Sequence, residues 1–303
     1  MELDKIITGD SAVVLQSFDS DCIDLTVTSP PYDNLRTYNG FVFDFETIAK
    51  ELYRVTKPGG VVVWVVGDAT INGSETGTSF KQALSFKECG FNLHDTMIYQ
   101  KLGTATHDPR NKRYKQVIEY MFILSKGSPK TYNEICDVKT KNKNSLSATH
   151  RKPNGDMRFY PPIQYKKFQA RPCVWVYDVG FMKTTKDKIA NSFPALFPEA
   201  LATDHIKSWS VEGDVVLDPF CGSGTTPKMA KTLSRHYIGI EVSSKYVSLA
   251  EKRLLATNVP LFGQGRGLTP REPDGGDSAP SQALSTPDMF SAIEHEPTPA
   301  PRR

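Results

Sequence analysis

The sequence has no apolar run approaching the roughly 18–20 residues needed to cross a bilayer. Its first nine residues also lack the basic-then-apolar order of a secretory signal, so a cytoplasmic protein with no membrane contact is expected. The five cysteines (Cys22, Cys89, Cys136, Cys173, Cys221) are scattered and form no C-x-x-C pair. That argues against a disulfide scaffold and a cysteine-based zinc site, fits a reducing compartment, and leaves no metal expected. Two glycine patterns are missing as well. Neither G-x-G-x-x-G nor G-x-x-x-x-G-K-[ST] occurs, so neither a dinucleotide pyrophosphate nor a triphosphate is well served.

What is present suffices for a folded core. Of 303 residues, 39% are hydrophobic and 23% charged, enough to bury one large core or two modest ones. Residues 263–303 stand apart, with 7 of the 21 prolines and no sustained apolar period. They are expected to form a disordered tail behind a folded domain at 1–262. The net charge of +3 hides a segregation: residues 101–190 carry 19 basic and 7 acidic side chains. A polyanion drawn to one face would want that asymmetry.

Apolar periodicity places the elements. Ile23–Thr28 reads as a buried strand broken by Ser29-Pro30-Pro31, residues 44–55 as a helix, and Val61–Val66 as a continuous apolar strand. Lys57-Pro58-Gly59-Gly60 separates the last two. A helix at 78–90 and strands at 93–99 and 117–124 follow. After the basic region come a helix at 199–209, a strand at 214–217, a helix at 225–233, a strand at 237–240 and a helix at 243–256. This alternation predicts an α/β fold, a mostly parallel twisted sheet with helices on both faces. Residues 125–172 fit neither period and predict a loop-rich insertion.

Two corners carry chemistry. Asp218-Pro219-Phe220-Cys221-Gly222-Ser223-Gly224-Thr225-Thr226 joins an apolar strand to a helix. Gly222 and Gly224 remove Cβ atoms where the backbone turns and approaches a ligand, and Thr225 or Thr226 can cap the helix. Glu241 ends the next strand, where ribose hydroxyls are read in such units. The carboxylate of Asp218 at the strand end suits a cationic ligand, such as one bearing an ammonium and a sulfonium. The second corner is Thr28-Ser29-Pro30-Pro31-Tyr32. Its prolines stiffen the turn and offer fixed carbonyl acceptors. Acceptors at Ser29 and the Pro30 carbonyl would grip the two hydrogens of an exocyclic amino group, freeing its lone pair for attack. Tyr32 would stack on a base extruded from its duplex.

Together the two motifs resemble the amino-group (N4-cytosine or N6-adenine) DNA methyltransferases of the beta arrangement, in which the catalytic motif precedes the cofactor turn. The resemblance covers roughly residues 5–256. It implies the S-adenosylmethionine-dependent, Rossmann-like methyltransferase fold, direct methyl transfer without a covalent enzyme intermediate, and double-stranded DNA as partner. A cognate restriction enzyme is a candidate second partner. It assigns Ser29, Pro30, Pro31 and Tyr32 to catalysis, and Asp10, Thr28, Asp218, Pro219, Phe220, Gly222, Gly224, Thr225 and Glu241 to the cofactor. Phe193 stands where the family usually has His before Pro-Ala, which weakens a cofactor role there. Target recognition falls to the basic stretch at about 103–180. Its candidates for DNA contact are Arg110, Lys112, Arg113, Lys115, Arg151, Lys152, Arg158, Lys166, Lys167 and Arg171, interleaved with Tyr160, Tyr165 and Phe168. Ser at position 29, where many adenine enzymes have Asp, leans towards N4 of cytosine. The alternatives are N6 of adenine, then a structured RNA, then a non-catalytic DNA-binding protein.

Overall fold

The computed structural model describes residues 2–31, 43–103, 112–140, 148–160, 166–193 and 196–257. The strands are β1 (Lys5–Thr8), β2 (Ile23–Thr28), β3 (Thr56–Val66), β4 (Thr70–Ile71), β5 (Ser74–Glu75), β6 (Asn92–Leu102) and β7 (Ile118–Ser125). They continue with β8 (Cys136–Lys139), β9 (Ala148–Arg151), β10 (Met157–Tyr160), β11 (Phe168–Ala170), β12 (Val174–Asp178), β13 (Val215–Asp218) and β14 (His236–Glu241). The α-helices are α1 (Ser11–Val14), α2 (Phe45–Val55), α3 (Thr78–Glu88), α4 (Glu199–Trp209), α5 (Thr225–Thr232) and α6 (Ser244–Leu255). Eight strands form one sheet in the order β1-β14-β13-β2-β3-β7-β6-β12. All neighbours run parallel except β7, which is antiparallel to both β3 and β6.

The continuous apolar run of β3 is buried from Val61 to Val66 because helices cover both faces. Side chains alternate along it. Val62, Trp64 and Val66 join Leu52 of α2 and Phe86 of α3 in one core, while Val61, Val63 and Val65 join Leu201 and Ile206 of α4 and Met229 of α5 in the other. The expected α/β layering is what the chain adopts. Among the described residues no helix is long and apolar enough to cross a membrane.

Three expectations need correction. The Lys57–Gly60 breaker lies inside β3 rather than before it, since pairing with β2 begins at Ile23↔Thr56 and resumes, after an irregularity, at Leu25↔Val61. Gly59 absorbs that irregularity at φ +80, with Lys130 packed where a Cβ would stand. The stretch 103–180 is not one insertion. Its β7 and β12 belong to the main sheet, because Met121–Ser125 form a buried run and Trp175 and Tyr177 pack into the second core. Only the pairs β8–β11 and β9–β10 stand outside it, as two-stranded antiparallel sheets. Finally, β12 is a strand that apolar spacing does not predict, although its residues alternate exposed and buried at an edge beside β6. The tail at 263–303 lies outside the described residues.

Candidate active site

A parallel sheet gathers the carboxyl ends of its strands along one edge, and ligands bind in the crevice there. Because β13 lies between β14 and β2, Asp218 is flanked by the ends of both. The Thr28 hydroxyl donates to Asp218 Oδ1 at 2.6 Å, joining the two sequence corners directly across 190 residues. β1 ends alongside Glu241, and the Gly9 N–H donates to the Glu241 carbonyl at 3.1 Å. Asp10 then caps α1 by accepting from the Ala12 N–H at 2.8 Å. The Ser11 hydroxyl donates to the Pro219 carbonyl and ties this corner to the cofactor turn. Thr28, Asp10, Asp218 and Glu241 are thus assembled at one edge. Phe220 packs edge-on against Phe43 at 5.5 Å, and Phe43 with Asp10 lines a cleft that continues to Asp44 and Phe45.

Within the turn, Gly222 (φ +49) and Gly224 (φ +78) take left-handed conformations that favour glycine. Their bare faces are filled by protein. A Cβ on Gly222 would collide with the Phe193 ring, and one on Gly224 would lie 2.8 Å from Ala250 Cβ. Close approach by a ligand is therefore not the sole reason for these glycines. Phe193, whose departure from the family pattern counted against a site role, is pressed onto the turn and braced edge-on by Tyr246 at 4.7 Å. The expected threonine cap is absent too. Gly224 is the N-cap of α5, the Thr226 hydroxyl donates to the Val27 carbonyl at 3.1 Å, and the Thr225 hydroxyl accepts from Arg253 at 3.2 Å.

Arg253 is the residue sequence reasoning missed. It is fully buried and grips the back of the turn through the Ser223 carbonyl (2.6 Å) and hydroxyl (2.9 Å). Its remaining donors reach Asp187 Oδ2 (2.8 Å) and Glu199 Oε1 (3.0 Å), and Lys228 joins Glu199 at 2.7 Å. A buried guanidinium needs such partners. In sequence it is only one more basic residue in an amphipathic helix, and no local signal distinguishes it.

Electrostatics single out the two carboxylates. Burial pushes Asp218 up to about 6, although the Thr28 hydroxyl and the Phe220 N–H (3.1 Å) favour its charged form. Burial raises Glu241 as well, opposed by N–H donors from Gly222 (3.0 Å) and Ser243 (2.9 Å). Among the described residues neither forms an ion pair with Lys or Arg. The crevice thus holds two desolvated carboxylates with no Lys or Arg ion-paired to them among the described residues, an arrangement that suits a cationic ligand. Cys221 is buried, and burial drives its thiol well above the usual range, so it is no thiolate nucleophile.

Ser29 and Pro31 are half-buried and Pro30 is buried, immediately beyond Thr28. Tyr32 lies outside the described residues, as do Arg110, Tyr165 and the side chain of Tyr160. Lys112 and Arg113 precede β7. Arg113 donates to the Gly73 carbonyl and, at 3.4 Å, to Glu75. Arg151, Lys152 and Arg158 are exposed on the β9–β10 hairpin, and Lys166 and Lys167 lead into β11. Arg171 does not serve as a DNA candidate. Its guanidinium is spent on Asp137 (2.8 Å) and Asp204 (2.6 Å) and lies over the Trp175 ring.

Residues 23–252 match the DNA methylase family of N6 and N4 amino-methyltransferases. The orphan methyltransferase M.BamHII of Bacillus amyloliquefaciens is 57% identical over 239 residues, which cover 77% of this chain and 89% of that protein. The solved structure of a putative DNA modification methylase from Thermus thermophilus, complexed with S-adenosylmethionine, aligns with TM-score 0.56 and 25% identity over 85% of this chain and 95% of that one. PvuII DNA methyltransferase shares the fold, with TM-score 0.60 and 21% identity over 84% and 87% of the two chains. A carboxylate-lined crevice fit for a sulfonium, a Thr-Ser-Pro-Pro corner bonded to it, and these likenesses lead to one conclusion: the chain belongs to the N6/N4 DNA methylase family and is an S-adenosylmethionine-dependent DNA methyltransferase.

Proposed function

We propose that the enzyme methylates N4 of cytosine in duplex DNA, acting on a base extruded into the crevice beside Ser29. When bound, S-adenosylmethionine supplies a methyl carbon activated by its sulfonium. Asp218, with Asp10, Glu241 and the 219–225 turn, holds the donor's charged and ribose groups. Thr28 keeps the Asp218 carboxylate in place by its hydrogen bond. The Ser29 hydroxyl and the Pro30 carbonyl accept from the two amino hydrogens, drawing the nitrogen towards tetrahedral geometry and localising its lone pair. Pro31 stiffens the corner and Tyr32 stacks on the base. As the new bond forms, one amino proton leaves along the Ser29 hydrogen bond to solvent.

The observation that carries this reading is the 2.6 Å bond between Thr28 and Asp218, which puts the acceptor corner one residue from the donor-holding carboxylate. Serine at position 29, with no carboxylate, supports cytosine over adenine. Lys112, Arg151, Lys152, Arg158, Lys166 and Lys167 supply phosphate or base contacts, while Arg113 is held by Gly73 and Glu75. The name of the Bacillus relative, an orphan methyltransferase, favours action without a dedicated restriction partner.

Mass spectrometry of digested, methylated DNA is expected to show N4-methyl-2′-deoxycytidine. N6-methyl-2′-deoxyadenosine without it would reverse the assignment, and methyl transfer to RNA but not duplex DNA would overturn the substrate class. Ser29→Ala and Tyr32→Ala are each expected to abolish transfer while donor binding persists. Wild-type turnover in both would remove these residues from catalysis.

A further inference from the structure

A short hairpin at the same sheet edge has no part in the chemistry above. β4 and β5 pair Thr70↔Glu75 and Ile71↔Ser74, directly after β3. Their two-residue turn, Asn72-Gly73, has φ of +50 and +79, both positive as the tight primed hairpin turn requires. All six residues from Thr70 to Glu75 are exposed, and nothing lies within 4 Å of where a Gly73 Cβ would stand. Ile71 is 55% exposed, an apolar side chain beside the tip that serves no core.

An isolated two-stranded hairpin is marginal in water, and this one is braced. At its root the Thr76 N–H donates to the Ala69 carbonyl at 3.0 Å, and Asp68 accepts from the Ser79 N–H (2.8 Å) and hydroxyl (2.6 Å). From the side, Arg113 donates to the Gly73 carbonyl, and both Arg113 and Gln116 reach Glu75 at 3.4 Å. That meets the single negative charge of the hairpin. Exposed Lys112, Tyr114 and Lys115 flank the brace. The hairpin is therefore a stiff, charge-balanced finger with a basic, aromatic flank, suited to close approach to a polyanion.

Topology sets its place. β3 runs parallel to β2, so the finger rises from the edge that also carries Ser29 and Pro30. We infer that this finger is a wedge for the DNA duplex: Ile71 inserts at the target base pair and holds open the stack from which the base is extruded, with Arg113 as its strut. Apolar side chains play this part in proteins that unstack duplex steps. The inference rests on the proposed action on an extruded base, and it concerns only how the base leaves the duplex.

The test compares two synthetic duplexes containing the modified site, one fully paired and one with an abasic position opposite the target. Ile71→Ser is expected to slow methylation of the paired duplex about tenfold and to stay within about twofold of wild type on the unpaired one, where extrusion costs less. Ile71→Leu is expected to restore the paired rate, and donor affinity to stay constant in both variants. Equal loss on the two duplexes, or no loss on either, would overturn the wedge while leaving the transferase reading intact. No transfer by the wild-type enzyme to an amino group in either duplex would instead overturn the underlying reading, and the wedge with it.

Discussion

The two ends of the crevice are built in opposite ways. Around 218–226 the polar groups find partners within the protein, the glycine faces are filled by Phe193 and Ala250, and a buried arginine clamps the turn from behind. On the side of Lys112, Tyr114 and Lys115 and of the β9–β10 hairpin, side chains reach into solvent, with Tyr114 95% and Phe159 76% exposed. The donor is a small molecule of fixed shape, so a preorganised cradle serves it. DNA is large, and long basic side chains can settle on its phosphates after contact.

The largest expected effect lies at the rigid end. Asp218→Ala removes a carboxylate facing a cationic ligand and is expected to weaken donor binding at least about a hundredfold, measured by calorimetry. Retained affinity would mean that the crevice charge is incidental. Arg253→Met leaves Lys228 as the cation paired with Asp187 and Glu199 among the described residues and is expected to cost about 3 kcal/mol in denaturant unfolding. Gly222→Ala meets both the Phe193 ring and a positive φ, with an expected loss of about 2 kcal/mol. Repeating it in a Phe193→Ala background is expected to recover part of that loss, and strict additivity would deny the contact.

A smaller effect comes from pH. The folded-state value of Asp218 is raised to about 6 from an ordinary 3.8, so the free folded protein binds this proton more tightly than the unfolded chain. The contribution of this group to stability therefore falls as pH rises from about 4 to about 6 and stays low above that. On the proposed role of Asp218, donor binding is expected to have the opposite slope, because a cationic ligand favours the ionised carboxylate. Affinity is expected to drop by up to about tenfold per pH unit below about 6, and Asp218→Asn to flatten the profile. The smallest effect belongs to the adaptable end. Lys152→Ala is expected to weaken DNA binding a few-fold and to lower the salt slope by about one, without changing the modified site. A change of site would make Lys152 a reader of bases.

Sequence exposed the rigid end better than the other because its signals are local. The bounds of α4 coincide with the apolar spacing from 199 to 209, and the Ser-Pro-Pro and Gly-Ser-Gly breaks mark both corners. Contacts between distant residues leave no such trace. Phe193 meets Gly222 across 29 residues, and Arg253 meets Ser223 only once α6 has docked. β12 is hidden because it follows an aperiodic stretch and finds its place by pairing with β6, more than 70 residues earlier. The Asn72-Gly73 finger is readable in principle, since that dipeptide is a hairpin signal, but its strands are only two residues long and Ser74-Glu75 carries no apolar residue.

The insertion of β14 between β1 and β13 has a consequence for synthesis. Strand β1 cannot pair until β14 emerges, a separation of about 230 residues from Lys5 to Ile238. At ordinary translation speeds the ribosome takes roughly 10–50 s to cover that distance. Throughout that interval β1 lacks its partner and β13, once made, has an open edge, so a nascent chain stalled before His236 presents adhesive strand borders to its neighbours. The crevice edge formed by Asp218 and Glu241 cannot assemble before β14 has been made.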